Sequence, residues 1–284
     1  MSLTDFYSFQ FNDFVFGANT PYVITEVSGL EDLPTIRNQD DFKGYNDGMF
    51  TGRDFYGGRT LTFMLKIFAG NGNSAQQNLN LFQQALNPQQ TGTSPLVFQL
   101  SPNDSNKVIN ARVRTRAVKI DPEYTYGYIT AQITLFCPDP RYYDTNGIVV
   151  SLSPSGGSWR TYNRTYDIVY GGGYQTGSAT ATNSGWSNAD PIVTITGPAQ
   201  NPVVGNRTTN QAITLNYTLS SSDVVVLDLN QKTVLLNGSN ARNILANNSQ
   251  WWTLEPGNQT VYFTATSWTN GVTTCTISFA SSYV

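Results

Sequence analysis

Apolar and polar residues alternate over short stretches along most of the chain, and this period of two is typical of half-buried β-strands. In the first half the alternation predicts strands over residues 61–68, 108–118 and 126–136. The last two strands are joined by a turn around residues 121–123, whose Asp-Pro-Glu sequence favours a reversal of the chain. The first half is therefore expected to be built mainly of β-sheet.

One segment of the first half has helical spacing instead. Leu79, Phe82 and Leu86 recur at intervals of three and four residues, so they would share one side of a helix. The helix would begin after Ser74, a good N-cap residue, and end before Pro88. No Gly-rich phosphate loop precedes this segment. We expect a single amphipathic helix lying on a sheet.

The second half alternates throughout. Its predicted strands cover residues 212–219, 224–229, 233–238, 260–266 and 273–279. The last two flank Asn270-Gly271, a dipeptide typical of the tight turn in a β-hairpin. Many short strands separated by turn residues favour a β-sandwich of the jelly-roll type.

The composition changes near the middle of the chain. Most of the charged residues lie before residue 146, and a Gly/Ser/Tyr-rich stretch over 153–185 follows. Such a shift is typical of a domain boundary, which we place near 145–150. The sequence thus predicts an all-β protein of two domains, 1–147 and 148–284, with one helix in the first domain.

Composition also excludes several kinds of chemistry. The chain has no histidine, which removes Ser-His-Asp and Cys-His sites and histidine-bound zinc. The candidate carboxylates for a glycosidase pair are Asp40 with Asp41, Asp121 with Glu123, and Asp139, and most of them lie in turn-like contexts beside Pro or Gly, where turn formation explains them. Cys137 and Cys275 are too few for a thiolate metal site, and two buried free thiols are favoured over a disulfide. We therefore predict no enzyme activity, no metal and no cofactor.

The chain carries no targeting or membrane segment that its sequence reveals. Residues 1–7 lack a basic start and an apolar run, and the longest apolar stretches have only the length of a strand. The net charge of -3 provides no general attraction for nucleic acid or for an anionic membrane. We expect synthesis in a cytoplasm.

The ordered set of motifs resembles the distal tail proteins of long-tailed phages. Two of these motifs are Phe-Cys-Pro-Asp-Pro-Arg-Tyr-Tyr at 136–143 and Trp-Trp-Thr-Leu-Glu-Pro-Gly at 251–257. The others are residues 47–48, 58–63, 201–202, 227–228, 233–234 and 237–238. The resemblance covers nearly the whole chain in order.

This resemblance implies an N-terminal belt domain that closes a hexameric ring and a C-terminal galectin-like β-sandwich at the periphery. It implies a place at the tail tip of a virion, with tail-tube protein on one side and the tail-associated hub protein on the other. Receptor-binding proteins would dock outside, and DNA would pass through the channel without specific binding. Loops such as the one over 49–56, which contains Arg53, can contact neighbouring subunits in that family.

Three arginines form the most distinctive charged pattern. Arg112, Arg114 and Arg116 alternate with smaller residues, so a regular strand would present all three on one face. A solvated strand face and a phosphate track are both compatible with this pattern. We also hypothesise a subunit interface, in which the arginines meet acidic runs that include Asp40 and Asp41 across a boundary between copies.

Aromatic residues of the second half suggest another class of function. Trp252 and Trp268 are candidates for stacking on sugar rings, together with tyrosines near Tyr170. Adjacent Trp251 and Trp252 would point to opposite faces of an extended strand, so one of them is expected to fill the core. The alternatives to a ring-forming structural protein are thus a peripheral carbohydrate-binding adhesin, another minor tail protein, or a tail-tip hydrolase.

Overall fold

The computed structural model describes residues 6–88, 91–154 and 177–284. The chain divides into two compact units, one of Met1–Asn146 with Val284, and one of Gly147–Tyr283. No helix in the described ranges is both long and apolar enough to cross a membrane.

The first unit contains twelve strands and one α-helix among its described residues. The strands β1 to β12 are Ser8–Phe11, Phe14–Gly17, Tyr22–Ser28, Ile36–Arg37, Asp41–Phe42, Met49–Phe50, Phe55–Tyr56, Arg59–Ile67, Ser94–Gln99, Lys107–Lys119, Ile129–Cys137 and Tyr142–Asp144. The helix α1 is Ala75–Ala85, and a short 3-10 turn covers Pro122–Tyr126.

Most of these strands form one antiparallel sheet in the order β2-β1-β9-β10-β11-β8-β3, with β12 beside β10. The strands β8 and β11 pair from Arg59 opposite Cys137 to Ile67 opposite Ile129. Alternate residues of both strands are buried, as the period of two predicts. Aromatic rings fill the space on that face, with Phe9 centred 5.0 Å from Phe63.

The predicted helix is present where the apolar spacing places it. The Ser74 hydroxyl accepts a hydrogen bond from the Gln77 backbone N–H, and the Gln77 side chain accepts one from the Ser74 N–H. Such a capping box satisfies two donors that a helix start otherwise leaves free. Leu79 and Phe82 are buried, so the apolar side of the helix contributes to the core of the unit.

The second unit is built of short strands. They are β13 to β26, at Ile148–Leu152, Gly177–Asn183, Ile192–Thr196, Ala199–Gln200, Val203–Asn206, Gln211–Thr214, Thr218–Leu219, Val224–Asp228, Thr233–Leu236, Ser239–Asn240, Gly257–Thr264, Ser267–Trp268, Thr274–Phe279 and Ser282–Tyr283. A 3-10 turn covers Arg242–Ile244. The single strand predicted over 212–219 is therefore two strands, β18 and β19.

Two sheets of the second unit share one core. One sheet has the order β13-β25-β15-β20-β21-β22, and the other has the order β14-β23-β17-β18. Inward residues of the first, such as Val193 and Ile277, belong to the same buried cluster as Val204 and Phe263 of the second. This is a β-sandwich. The predicted all-β class, with one helix in the first domain, is confirmed.

The hairpin predicted around Asn270-Gly271 is wrong. The strand β23 pairs with β14 and β17, whereas β25 pairs with β13 and β15, so the two predicted partners lie in different sheets. The intervening strand β24 pairs with β16 of a third small sheet. The turn itself is present, with Gly271 at a φ of +77°, but local turn chemistry does not decide which strands pair.

Candidate subunit interface

A long excursion leaves the first unit between β3 and β8, and we call residues 33–57 the arm. It consists of two short strand pairs, β4 with β7 and β5 with β6. Most of its large apolar side chains are exposed: Leu33, Ile36, Phe42, Tyr45, Met49, Phe50 and Tyr56. A cluster of exposed apolar residues of this size is typical of a surface that binds another protein.

A buried arginine fixes the base of the arm. Arg59 is only 2% exposed, and its Nε donates to the Pro140 carbonyl at 3.1 Å. Its Nη1 donates to the carbonyls of Gly29, at 2.9 Å, and Leu30. Backbone oxygens replace the solvent at Nε and Nη1 of this buried guanidinium, whereas its buried Nη2 has no hydrogen-bond partner among the described residues. The contacts tie the chain that enters the arm to the end of β11, so the arm leaves the sheet at a defined point.

Asp40 and Asp41 lie within the arm and bond to its own backbone. Asp40 accepts hydrogen bonds from the Gly52 N–H at 2.9 Å and the Asn38 side chain at 3.2 Å. Asp41 accepts one from the Phe42 N–H at 2.9 Å. Neither forms an ion pair with a lysine or arginine of the described residues. Both carboxylates thus lack a cationic partner in the part of the chain that the structure describes.

Arg53 also lies in the arm, where it contacts an aromatic ring. Its guanidinium carbon is 5.2 Å from the centre of the Phe55 ring, and that of Arg37 is 5.4 Å from the same centre. These are cation–π distances. In the part of the chain that the structure describes, neither arginine pairs with a carboxylate.

The three arginines of β10 do not share one face, so this part of the sequence prediction is wrong. The pairing of β10 with β11 shifts register between Val113 and Thr115, which leaves Arg114 as the extra residue of a β-bulge. Before the bulge Val113 lies opposite Leu135, and after it Arg116 lies opposite Ile133. Leu135 and Ile133 both face the core. The bulge therefore turns Arg116 toward the core side of the sheet, whereas Arg112 points away from the core.

Arg112 and Arg114 remain together at an outward-facing ring. Their guanidinium carbons lie 5.8 Å and 4.7 Å from the centre of the Phe136 ring. The buried Nε of Arg112 has no hydrogen-bond partner among the described residues, and Arg114 is exposed. Both cations contact one ring, and neither pairs with a carboxylate of the described residues. The surface around Phe136 is therefore suited to bind a carboxylate of another molecule.

Arg116 has a structural role instead. Its Nη1 donates to the carbonyl oxygens of Gln83 and, at 3.3 Å, Leu86. The last carbonyls of a helix lack partners within the helix, and α1 has no basic residue in its last turn. Arg116 supplies both the donors and the positive charge from the neighbouring strand. Its guanidinium is therefore engaged within the chain.

The proposed sugar-stacking pair does not form a site. Trp252 is 1% exposed and lies in the core of the second unit, so its ring has no face for a ligand. Trp268 is half-buried in β24 and packs against the same core. The tyrosines near Tyr170 lie outside the described residues. Trp186, which sequence analysis passed over, is 61% exposed, but no residue pattern around it distinguishes it from its neighbours.

The two cysteines are free and buried, as predicted. Burial raises the pKa of Cys137 to about 12 and raises the pKa of Cys275 as well. Neither thiol is therefore a nucleophile in the folded chain. The described residues contain no group of three or more side chains that could hold a metal ion.

The chain is similar to components of phage tails. Residues 184–283 match the family model of the siphovirus-type tail component, C-terminal domain. The fold of the whole chain is similar to that of Dit from phage SPP1, whose crystal structure is described as a paradigm of the hub adsorption apparatus in phages infecting Gram-positive bacteria. That alignment has a TM-score of 0.67 and 15% identity, and it covers 98% of this chain and 99% of that chain.

Two further similar structures are chains of the phage p2 baseplate in its activated conformation, one with Sr and one with Ca. Their TM-scores are 0.46 and 0.45, with 13% and 12% identity, and each covers 95% of this chain and 97% of that chain. No curated protein matches the chain. The predicted resemblance to distal tail proteins is confirmed by the family model for 184–283 and by the SPP1 Dit fold for the whole chain.

Proposed function

We propose that this chain is a distal tail protein that forms a ring at the tail tip of a virion and joins the tail tube to the tail-tip hub. The observation that carries the proposal is the similarity of the whole fold to SPP1 Dit, together with the tail-component match of residues 184–283. Its work is assembly rather than catalysis. A hexamer is the subunit number that the resemblance implies, with receptor-binding proteins docked outside the ring.

The exposed arm supports assembly between copies. Burying one fully exposed large apolar side chain contributes about 1.5–3 kcal/mol. Covering four exposed side chains of the arm, Phe42, Tyr45, Met49 and Phe50, would therefore contribute at most roughly 6–12 kcal/mol. Association costs about 4–15 kcal/mol in lost freedom of motion. For one contact between two subunits, the free energy gained by burial and the free energy lost on association are thus of similar size. Closing a ring adds a last contact between subunits that are already held together, so complete rings are favoured over short chains of subunits.

The unpaired charges support the same conclusion. Asp40 and Asp41 on the arm carry negative charge, while Arg112 and Arg114 carry positive charge on β10, and none of the four has an ion-pair partner among the described residues. Surfaces of opposite sign on one chain favour head-to-tail contact between copies and disfavour contact of like surfaces. Arg116 takes no part in this contact, because its guanidinium holds the end of α1.

The passage of DNA through such a ring is compatible with the charge of the chain. The net charge is -3, and attraction of DNA to protein depends mainly on neutralising phosphates with Lys and Arg. A lumen without an excess of cations would bind DNA weakly. We therefore propose a channel that DNA crosses without specific binding.

Negative-stain microscopy and light scattering of the purified chain test the proposal, with the chain alone and with its cognate tail-tube protein. We expect rings with a central hole and a mass that gives the subunit number. The Arg114→Glu variant should lose rings, whereas Arg242→Glu, at an exposed position of the second unit, should keep them. Monomers that bind neither tail-tube nor hub protein would refute the proposed function.

A further inference from the structure

The chain contains four Asn-Gly steps, at 71–72, 146–147, 237–238 and 270–271, and the structure describes all of them. An asparagine followed by glycine can lose its side-chain amide without an enzyme, because glycine has no side chain to hinder attack by its own backbone nitrogen. The attack requires that nitrogen and the asparagine side chain to approach each other, so a closed turn that fixes both slows the reaction. The four steps share one dipeptide, and their folded surroundings distinguish them.

The step at 237–238 is held by both its backbone and its side chain. Asn237 and Gly238 form the turn between β21 and β22, with φ of +51° and +80°. The Asn237 side-chain oxygen accepts a hydrogen bond from the Val224 N–H at 2.9 Å, and its amide nitrogen donates one to Asp223 at 2.8 Å. Both ends of the amide are therefore engaged, and these bonds must break before the side chain can turn toward Gly238.

Backbone hydrogen bonds close the turns at two further steps. The residues that flank 71–72 exchange a pair of backbone hydrogen bonds, each 3.0 Å long. Around 270–271 the Thr269 carbonyl accepts from the N–H groups of Val272, at 3.2 Å, and Thr273, at 3.0 Å. In each case the glycine lies inside a closed turn, which must open before its nitrogen can attack.

The step at 146–147 lacks these constraints. Asn146 belongs to the first unit and Gly147 to the second, and both residues are exposed. Neither has a positive φ, and among the described residues no hydrogen bond holds the Asn146 side chain or the Gly147 N–H. The chain is fixed on both sides of the step, since the Thr145 N–H donates to the Asn106 carbonyl at 3.0 Å and β13 begins directly after Gly147. The freedom to react is thus confined to this step.

We propose that Asn146 is the residue at which the folded chain deamidates first. Hydroxide removes the Gly147 N–H proton, and the nitrogen then attacks Asn146 Cγ. A new C–N bond forms, the bond from Cγ to the side-chain nitrogen breaks, and ammonia leaves after taking a proton from water. Water opens the resulting cyclic imide at either carbonyl, which gives aspartate or isoaspartate. The net change is an amide and water to a carboxylate and ammonia. This inference does not depend on the proposed ring.

Both products change the segment that joins the two units. Each adds one negative charge at an exposed position, and isoaspartate also adds a methylene group to the backbone. We expect Asn146 to react at least about tenfold faster than the asparagines of the other three steps, because a closed turn reacts only through its open form. A tenfold difference corresponds to an opening free energy of about 1.4 kcal/mol.

Peptide mapping by mass spectrometry tests the inference on the full-length protein. The folded chain is incubated at mildly alkaline pH in heavy-oxygen water, so that each amide lost is replaced by a labelled carboxylate, and it is digested at mildly acidic pH. Label should appear first at Asn146, in two products of equal mass that chromatography separates. Gly147→Ala is the matched variant. A Cβ there meets no atom closer than 3.9 Å, so the fold is kept, yet the methyl group hinders the attack and should slow labelling at Asn146 alone.

A second sample, unfolded in urea, shows what the dipeptide does without the fold. The four steps should then react at similar rates, because no turn protects any of them. The proposal is overturned if another Asn-Gly step of the folded chain is labelled as fast as Asn146. It is also overturned if Asn146 keeps the same lead in urea, since the neighbouring sequence rather than the structure would then set the order.

Discussion

The guanidinium of Arg116 is expected to stabilise the first unit by holding the end of α1, and Arg116→Met tests this. Methionine keeps an unbranched apolar stem of similar reach but removes the charge and every donor. The carbonyls of Gln83 and Leu86 then lose their partner from β10. Because these carbonyls lie at the C-terminus of the helix, no backbone N–H further along the helix can replace the lost donor.

The size of the effect follows from the two interactions that are removed. Hydrogen bonds to a charged group contribute about 1.5–3 kcal/mol when they are buried. A cation near a helix C-terminus contributes about 0.3–1 kcal/mol. Arg116 is only half-buried, so solvent replaces part of what is lost, and we expect a loss of roughly 2 kcal/mol. For a unit of this size that corresponds to a fall in Tm of about 4–8 °C.

The chain provides separate spectroscopic signals for its two units. The α-helix of the described residues lies in the first unit, so far-UV circular dichroism in the helical region follows that unit. All 5 tryptophans lie after residue 146, so tryptophan fluorescence follows the second. Arg116→Met should lower the transition seen by circular dichroism and leave the fluorescence transition unchanged.

Arg114→Met is the matched control, because it removes an arginine from the same strand at an exposed bulge position. Exposed substitutions of this kind change stability by less than about 0.5 kcal/mol. The reasoning is refuted if Arg116→Met lowers the circular dichroism transition no more than Arg114→Met does. It is also refuted if the fluorescence transition shifts as far as the circular dichroism transition.

Three other results are expected. Gly29→Ala should destabilise the first unit by more than about 2 kcal/mol in a urea titration, because φ is +86° and a Cβ would lie 2.0 Å from a backbone oxygen of β8. The control Gly72→Ala, with φ +78° and open space around it, should cost only about 1–2 kcal/mol. Because burial raises the pKa of both Cys137 and Cys275, their thiolates should be absent at mildly alkaline pH, and a thiol reagent should react only after unfolding; rapid reaction of the folded chain would contradict this. Trp252→Phe should cost the second unit less than the roughly 3–5 kcal/mol expected for Trp252→Ala, because the phenyl ring leaves a smaller cavity and the indole N–H has no partner in the described structure to lose. Equal losses in a fluorescence-monitored titration would contradict that account.

The sequence alone determined the features that depend on neighbouring residues. The helix after Ser74 follows from a capping residue and apolar spacing within a single segment, and the structure adds only the Gln77 half of the capping box. Strands such as Arg59–Ile67 follow from alternation within one segment. The family resemblance was also accessible, because it rests on the order of motifs along the chain.

The candidate interface could be predicted only in part from the sequence. The sequence marked Arg112 and Arg114 as unusual, and the structure keeps them together at Phe136. The buried role of Arg59, which lies in one of the motifs of the resemblance, could not be read from the sequence, because it depends on carbonyls far away in the chain at Gly29 and Pro140. The prediction of Trp252 as a sugar-stacking residue is wrong, because Trp252 fills the core and Trp251 is only partly buried, and adjacent residues of similar character give no local sign of which one faces inward.

Only the tertiary structure decided which face each strand residue occupies and which strands pair. A bulge at Arg114 reverses the alternation of β10, and its cause is the pairing with β11 rather than any property of the Arg-Thr-Arg sequence. The strands beside Asn270-Gly271 pair in different sheets because each finds its partners elsewhere in the sandwich. Local structure follows from interactions over a few residues, whereas register and sheet membership depend on contacts between distant segments, and these are set when the core packs.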